Sequence, residues 1–386
     1  MKRPIRIDIW HNILWARYKG EVFSSLYKIV NKDQFDIRFF QVAETHRNYA
    51  GLSAVDLEHH RYPFTLLFKG AFDRLSLAAR LSKTLLYTIE SDADLFILIG
   101  YEKLECWAQL ALLKLRGKRV ALFVDSTIKD KKQRAVPRVL KSIIFRSVDG
   151  IFAYGLRSKE YVTYYGARPS RVFDECQAAA LPAAYAAEKA FEARLKLGPS
   201  REAPRFLYVG RLSPEKGLNT LFDAFAIVRQ RKKDASLIVV GSGSLREDLA
   251  KKAEQDGIQD HVEFCGSKSG DDLFIEYAKA TALILPSTSE PWGLVVNEAL
   301  ACGCPAIVSS QCGCVPELVI DGKTGYAHEP GSADDLASKM LAAIEQFADT
   351  RKTARECTEV ISRYTPDKAA EQILFGCRAI MAACSR

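Results

Sequence analysis

The sequence predicts an α/β protein made of two Rossmann-like, doubly wound parallel-sheet domains. Short apolar runs alternate with amphipathic helical stretches, and this alternation occurs twice along the chain. Between the two series, around 178–204, the pattern fades into Ala-rich and charged sequence. The length agrees: 386 residues, 48% of them hydrophobic, exceed the usual size of one domain and supply apolar side chains for two cores.

In the first series, strands are expected at 5–10, 37–42, 95–100, 120–125 and 150–155. Helices are expected at 21–31, 74–88, 102–116, 131–147 and 158–166. The second series places strands at 206–210, 236–241, 262–266, 282–286 and 305–310, with helices at 218–232, 245–255, 271–279 and 295–301. Three further stretches, 332–349, 354–364 and 367–383, also have helical patterning. The expected division is an N-terminal domain over 1–185, a hinge or linker over 186–204, a C-terminal domain over 205–365 and a closing helix over 366–386.

Composition excludes several classes. The most apolar stretch, 96–115, is interrupted by Glu102, Lys103 and Glu105, so no membrane-spanning helix is expected. Met1-Lys2-Arg3-Pro4 leads directly into the apolar run at 5–10 without a signal-peptide core, which predicts a cytoplasmic chain. Ten cysteines in a large chain without an export signal are expected to be reduced, mostly buried core residues. Cys302, Cys304, Cys312 and Cys314 form two C-x-C pairs, but zinc sites favour wider pairs and this set brackets a strand, so no metal is expected there. Asp92-Ala93-Asp94 precedes a strand instead of following one, which suits a loop better than a metal site.

Charge is uneven. Residues 1–190 carry 31 Lys and Arg against 20 Asp and Glu, a net +11, whereas the remainder is net −3. The excess peaks over 129–146, with Lys129, Lys131, Lys132, Arg134, Arg138, Lys141 and Arg146. Val136, Val139, Leu140, Ile143 and Ile144 interleave with them as on an amphipathic helix. Such a helix is either a solvated face or a peripheral contact with an anionic membrane. No nucleic-acid-binding motif accompanies it, and no nucleic acid is expected as partner.

The segment from Ser289 to Gly303 is the most informative. Glu290 stands in a loop before Pro291, and Glu298 lies within an apolar helical run. A proline near a helix start is favourable, and the free N–H groups and dipole of that start attract anions. The preceding strand puts the pair at a carboxyl end, where open α/β sheets bind ligands. An isolated pair of this kind is more often a dipole partner and a solvated side chain, but at a strand's carboxyl end two acceptor carboxylates beside a phosphate site fit a nucleotide sugar. Upstream, Arg211 and Lys216 follow a strand and are flanked by Gly210 and Gly217. Cations in that position can neutralise a diphosphate leaving group.

The Glu290-to-Glu298 segment resembles the E-x7-E region of retaining GT-B glycosyltransferases of the glycosyl transferases group 1 family, also called family GT4. Gly210-Arg211 with Lys216-Gly217, Gly241-Ser242-Gly243, Cys265-Gly266, Gly303-Cys304-Pro305, Pro316-Glu317 and Asp321-Gly322 resemble its further landmarks, in order, over about 204–330. The resemblance implies a GT-B architecture of two domains facing across a cleft, with the last helix crossing back to the N-terminal domain. It implies that Arg211 and Lys216 bind the donor diphosphate, Glu298 the ribose hydroxyls and Glu290 the transferred sugar. The backbone of Trp292, Gly293 and Leu294 is then near sugar and phosphate, and that around Gly266 and Lys268 faces the nucleobase.

The N-terminal half departs from the family pattern. Its usual glycine pair is reduced to Lys19-Gly20-Glu21, leaving Gly20 as the phosphate contact. The histidine of many relatives is absent after a later strand. Asp125 stands there and either binds sugar, takes the acceptor's proton or only forms a turn. His11, after the first strand, is the other cleft candidate. The implied activity is hexosyl transfer from a nucleotide sugar to a glycan or lipid-linked glycan hydroxyl in cell-surface polysaccharide or glycoconjugate synthesis, without cofactor or metal. A sugar-nucleotide epimerase of the same fold and a non-catalytic nucleotide-sugar-binding protein are the alternatives. A dehydrogenase fits least, because Gly241-Ser242-Gly243 lacks the third glycine of the dinucleotide fingerprint.

Overall fold

The computed structural model describes residues 3–47, 55–129, 137–181 and 185–383. The chain divides into two units, one of Met1–Ile128, Lys132–Ala180 and Thr365–Arg386, the other of Lys129–Lys131 and Leu181–Tyr364.

The first unit contains β1 (Ile5–Ile13), α1 (Arg17–Ile29), β2 (Phe35–Thr45), β3 (Phe64–Ala71), α2 (Leu77–Glu90), β4 (Leu95–Ile99) and α3 (Leu104–Leu115). It continues with β5 (Arg119–Val124), α4 (Arg138–Ser147), β6 (Gly150–Ala153), α5 (Leu156–Tyr164) and β7 (Val172–Phe173). The seven strands are parallel in the order β3-β2-β1-β4-β5-β6-β7, with Ile7 of β1 aligned to Leu95 of β4. Side chains alternate across a strand, so Phe96 and Leu98 enter the core under α3, α4 and α5, while Leu95 and Ile97 enter the one on the other face. That second core holds Val22, Phe23 and Leu26 of α1, and Ile373, Leu374 and Cys377 of α14 (Pro366–Ala382). Thr365 caps α14 by accepting from the Lys368 N–H at 3.3 Å, and Pro366 occupies its first position.

The second unit contains α6 (Ala187–Leu197), β8 (Arg205–Val209), α7 (Leu218–Arg231), β9 (Ser236–Val240), α8 (Arg246–Gln255), β10 (Val262–Gly266), α9 (Gly270–Lys279) and β11 (Ala282–Leu285). After these come α10 (Leu294–Ala301), β12 (Ala306–Ser309), α11 (Val315–Leu318), β13 (Gly325–His328), α12 (Ala333–Gln346) and α13 (Thr350–Ile361). Its six parallel strands run β10-β9-β8-β11-β12-β13. Strand order reverses between β8 and β11, which makes a switch point at their carboxyl ends.

Several elements differ from expectation. Strands β3, β7 and β13 have no counterpart in the sequence reading. Helix α13 begins at Thr350 instead of 354, because the Asp349 side chain accepts from the Lys352 N–H at 2.9 Å and caps it. The expected helix 131–147 is seen from Arg138; residues 130–136 lie outside the described ones. Helix α6 falls within 186–204, where no helix was expected. Its Arg194 is fully buried, and Nη1 donates to the carbonyls of Tyr277 at 3.3 Å and Ala278 at 3.0 Å, as well as to that of Ala280. A cation on those carbonyls complements the negative end of the α9 dipole.

Candidate functional site

The loops leaving β8 and β11 meet at the switch point of the second sheet. After β8 the chain makes a tight turn over Pro214–Lys216 and enters α7 through Gly217, whose φ is 66°. A Cβ at Gly217 would lie 2.2 Å from the Pro286 carbonyl oxygen, so only glycine lets this turn rest on the chain leaving β11. The Thr288 N–H donates to the Glu215 carbonyl at 2.9 Å and fixes the two loops together. This delivers Lys216 to Glu290. The two form an ion pair with side chains only 14% and 16% exposed, so bulk water screens it little. Arg211, on the same loop, pairs with Glu215 at 2.9 Å, and the Tyr208 hydroxyl donates to the Arg211 carbonyl at 2.7 Å.

Helix α10 starts behind Gly293, where φ is 103°. The loop before it is held by backbone bonds: Gly313 N–H donates to Glu290 O at 3.0 Å, and Cys314 N–H to Trp292 O at 3.1 Å. Trp292 is buried and its Nε1–H donates to Asn297 Oδ1 at 2.8 Å. Those contacts fix the direction in which Trp292, Gly293 and Leu294 present the helix start. Glu298 lies on the second turn of α10, and the Tyr277 hydroxyl on α9 donates to its Oε2 at 2.8 Å. Burial, and then the charge of Glu298, hold the Tyr277 phenol well above its ordinary range, so it stays a donor. Sequence reasoning missed Tyr277, because its partner lies on another helix.

Gly266 ends β10, and its carbonyl accepts from the Gly241 N–H at 2.7 Å. The Lys268 ammonium is bound to Glu276, which also takes Arg205, so this side chain is committed within the unit. The structure thus gathers Arg211, Lys216, Glu290, Trp292, Gly293, Leu294 and Glu298 on the loops and helix after β8 and β11. Gly266 and Lys268 stand two strands away.

In the first unit, Asp125 directly follows β5 and is exposed at the carboxyl end of that strand. His11 lies inside β1, which runs on to Ile13, and not after it. It is buried with Nδ1 2.9 Å from the Ile13 carbonyl; burial, then the nearby Lys19 charge, push it down to about 3. Gly20 is helical instead of lying in a loop. Helix α1 begins at Arg17, the Gly20 N–H donates to Ala16 O at 3.0 Å, and a Cβ would stand 2.8 Å from His59 O and His60 Cε1. Its neighbour Lys19 is 1% exposed, and its Nζ has no hydrogen-bond partner among the described residues. Nζ lies 4.4 Å from the Phe123 ring centre and 4.3 Å from that of Tyr154, an aromatic enclosure for a cation. Burial pushes the Lys19 ammonium down to about 8, while the Asp125 charge acts the other way. The sequence signal was available: Lys19 precedes Val22 and Phe23 by three and four residues, which puts it on the buried face of α1.

Asp92 and Asp94 sit before β4 and pair with arginines. Arg3 reaches Asp94 at 2.7 Å, and Arg38 reaches Asp92 at 3.3 Å. Cys302, Cys304, Cys312 and Cys314 are all buried.

Residues 190–359 match the family model described as glycosyl transferases group 1. The sulfoquinovosyl transferase SQD2 of Arabidopsis thaliana is 34% identical over 176 residues, 44% of this chain and 32% of that protein. The GDP-mannose-dependent alpha-(1-6)-phosphatidylinositol monomannoside mannosyltransferase of Mycobacterium tuberculosis is 35% identical over 166 residues, 41% of this chain and 42% of its own length. The chain therefore spans less than half the length of these curated relatives. Among solved structures, Anabaena HepE in complex with UDP and glucose has a TM-score of 0.69 and 18% identity, covering 97% of this chain and 100% of that one, a likeness of fold. The matched stretch lies within the second unit and carries the loops after β8 and β11, so that part of the chain is similar to the glycosyl transferases group 1 family, and the chain has the GT-B fold of two Rossmann-like units.

Proposed function

We propose that this chain is a retaining glycosyltransferase of the GT4 type that moves a hexosyl group from a nucleotide sugar to a hydroxyl of a glycan or lipid-linked glycan. The observation that carries this reading is the meeting of Lys216 and Glu290 at the β8/β11 switch point, with Arg211 on the same loop and Glu298 on the helix that follows.

Arg211 and Lys216 hold the donor diphosphate and offset the charge that develops on it as its bond to the anomeric carbon breaks. On donor binding, Lys216 exchanges Glu290 for a phosphate oxygen, and the freed carboxylate accepts from hydroxyls of the sugar. Glu298, aimed by Tyr277, accepts from the ribose hydroxyls. The N–H groups at the start of α10, from Trp292 to Leu294, face the phosphate and sugar, where the helix dipole favours negative charge. Backbone at Gly266 and Lys268 lies against the nucleobase. The acceptor oxygen bonds the anomeric carbon on the face that the diphosphate leaves, and its proton passes to the departing phosphate oxygen, which retains configuration without a covalent enzyme intermediate. Asp125 binds a sugar hydroxyl or takes that proton instead. The paired cations fill the neutralising role of a metal, so neither metal nor cofactor is required.

The lipid-linked acceptor is supported by the relative named for a phosphatidylinositol monomannoside and by α4. On this helix Val139, Leu140 and Ile143 are 69%, 41% and 50% exposed beside Arg138 and Arg146, a pattern suited to peripheral binding on an anionic cytoplasmic membrane face. No described helix is long and apolar enough to cross a membrane. A role in cell-surface polysaccharide or glycoconjugate synthesis follows from that acceptor class.

A panel of nucleotide sugars screened for thermal stabilisation tests the reading, since a ligand bound only by the folded state raises its stability. One donor is expected to stabilise the protein, to stabilise Lys216→Ala far less, and to be consumed only with an acceptor. Stabilisation by none would overturn the proposal. Release of free epimerised donor without acceptor would point to an epimerase.

A further inference from the structure

At the amino ends of β6 and β7, a cavity of about 270 Å³ is bordered by Arg146, Arg168 and Arg171. Its floor is apolar, with Phe145, Val148 and Ile151. No carboxylate lines it, and among the described residues none of the three guanidinium groups has an ion-pair partner. The nearest acids along the chain are engaged elsewhere. Asp149 pairs with Lys114 at 2.7 Å and Arg119 at 2.9 Å and accepts from the Val120 N–H, while Asp174 pairs with Lys159 at 3.0 Å. Arg146 is folded across Gly166, where a Cβ would fall 2.4 Å from its Nε, so the bare glycine leaves the space this guanidinium occupies.

Three cations around one hollow repel one another, and an anion placed among them turns that repulsion into attraction. The planar, forked donors of arginine match the oxygens of a phosphate group, and such charge-assisted bonds are stronger than neutral ones. We propose that Arg146, Arg168 and Arg171 form a phosphate-binding pocket, separate from the donor site. The strands are parallel, so this pocket lies at the opposite pole of the first sheet from Asp125, which follows the carboxyl end of β5. Arg146 also closes the helix that exposes Val139, Leu140 and Ile143, so the phosphate is that of a lipid headgroup at a membrane or that of a soluble phosphorylated ligand.

The test uses the full chain carrying Arg211→Ala and Lys216→Ala, which removes the donor-site cations and keeps the result apart from the donor-site reading. Inorganic phosphate titrated into this protein by calorimetry is expected to bind saturably. Adding Arg146→Gln, Arg168→Gln and Arg171→Gln is expected to weaken binding at least tenfold. The single change Arg168→Gln, at an exposed side chain, is expected to weaken it about threefold if the triple variant does not fold. Absence of saturable binding, or an affinity unchanged by these substitutions, overturns the pocket. Vesicles of phosphatidylglycerol distinguish the sources. Vesicle binding that phosphate displaces and the triple variant loses assigns a headgroup; phosphate binding with vesicle binding unaffected assigns a soluble ligand.

Discussion

The hydroxyl of Tyr277 on α9 donates a 2.8 Å hydrogen bond to Oε2 of Glu298 on α10, so the acceptor carboxylate is aimed by a helix other than its own. Tyr277→Phe keeps the ring and removes only this donor. It is expected to raise the KM for the nucleotide sugar several-fold with kcat little changed. Glu298→Ala is expected to lower kcat/KM at least tenfold, about 1.4 kcal/mol of transition-state binding, with the circular dichroism spectrum unchanged. Near-normal kcat/KM in Glu298→Ala would remove the ribose assignment.

Lys19 is expected to give stability an unusual pH dependence. The folded protein releases this proton at about pH 8, whereas the unfolded chain holds it to about 10.5. Across that window the unfolded state binds more protons, so stability contributed by this group rises with pH. Lys19→Met lacks the penalty of a buried charge. It is expected to be more stable at pH 7 by on the order of 3 kcal/mol, with the advantage fading by pH 10.5. Denaturant titrations at both pH values decide, and an advantage independent of pH would mean that Lys19 is already compensated by its aromatic neighbours.

Turnover is expected to survive exhaustive EDTA treatment, because in the proposed mechanism Arg211 and Lys216 supply the positive charge at the diphosphate. Complete loss of activity, restored only by magnesium or manganese, would refute this.

Binding to anionic vesicles is expected to depend on α4. Each base near such a surface contributes about 1 kcal/mol, and salt shortens its reach. Co-sedimentation should therefore fall between low and high salt, and should fall at least fivefold in Val139→Asp/Ile143→Asp. Equal sedimentation of this variant and the wild type would make α4 a solvated face.

What was legible in the sequence follows from the physics of each element. Strands such as β4 and β9 are continuous apolar runs with helices on both faces, and these were visible. Strand β3 lies at a sheet edge and is mostly half-exposed, β7 has two residues and β13 four, so none carries a distinct pattern. Helix α6 resembled a linker because its buried face includes Arg194, a charge whose satisfaction by carbonyls of α9 and the chain after it no local pattern announces. The placement of Arg211, Lys216 and Glu290 on loops after strands, and of Glu298 on the helix that follows, was legible from glycine spacing, strand ends and the apolar run around Glu298. Their pairings with Glu215, Lys216 and Tyr277 were not all legible, since two of them depend on which loops a sheet's strand order brings together.

The Arg194 contact has a mechanical meaning. The chain enters the second unit at Leu181 and its first helix there is α6. Arg194 clasps the last carbonyls of α9, including that of Tyr277, the residue that aims Glu298. Arg194 thus ties α6 to the backbone of the very residue whose hydroxyl holds Glu298, so the helix that opens the second unit also braces that carboxylate.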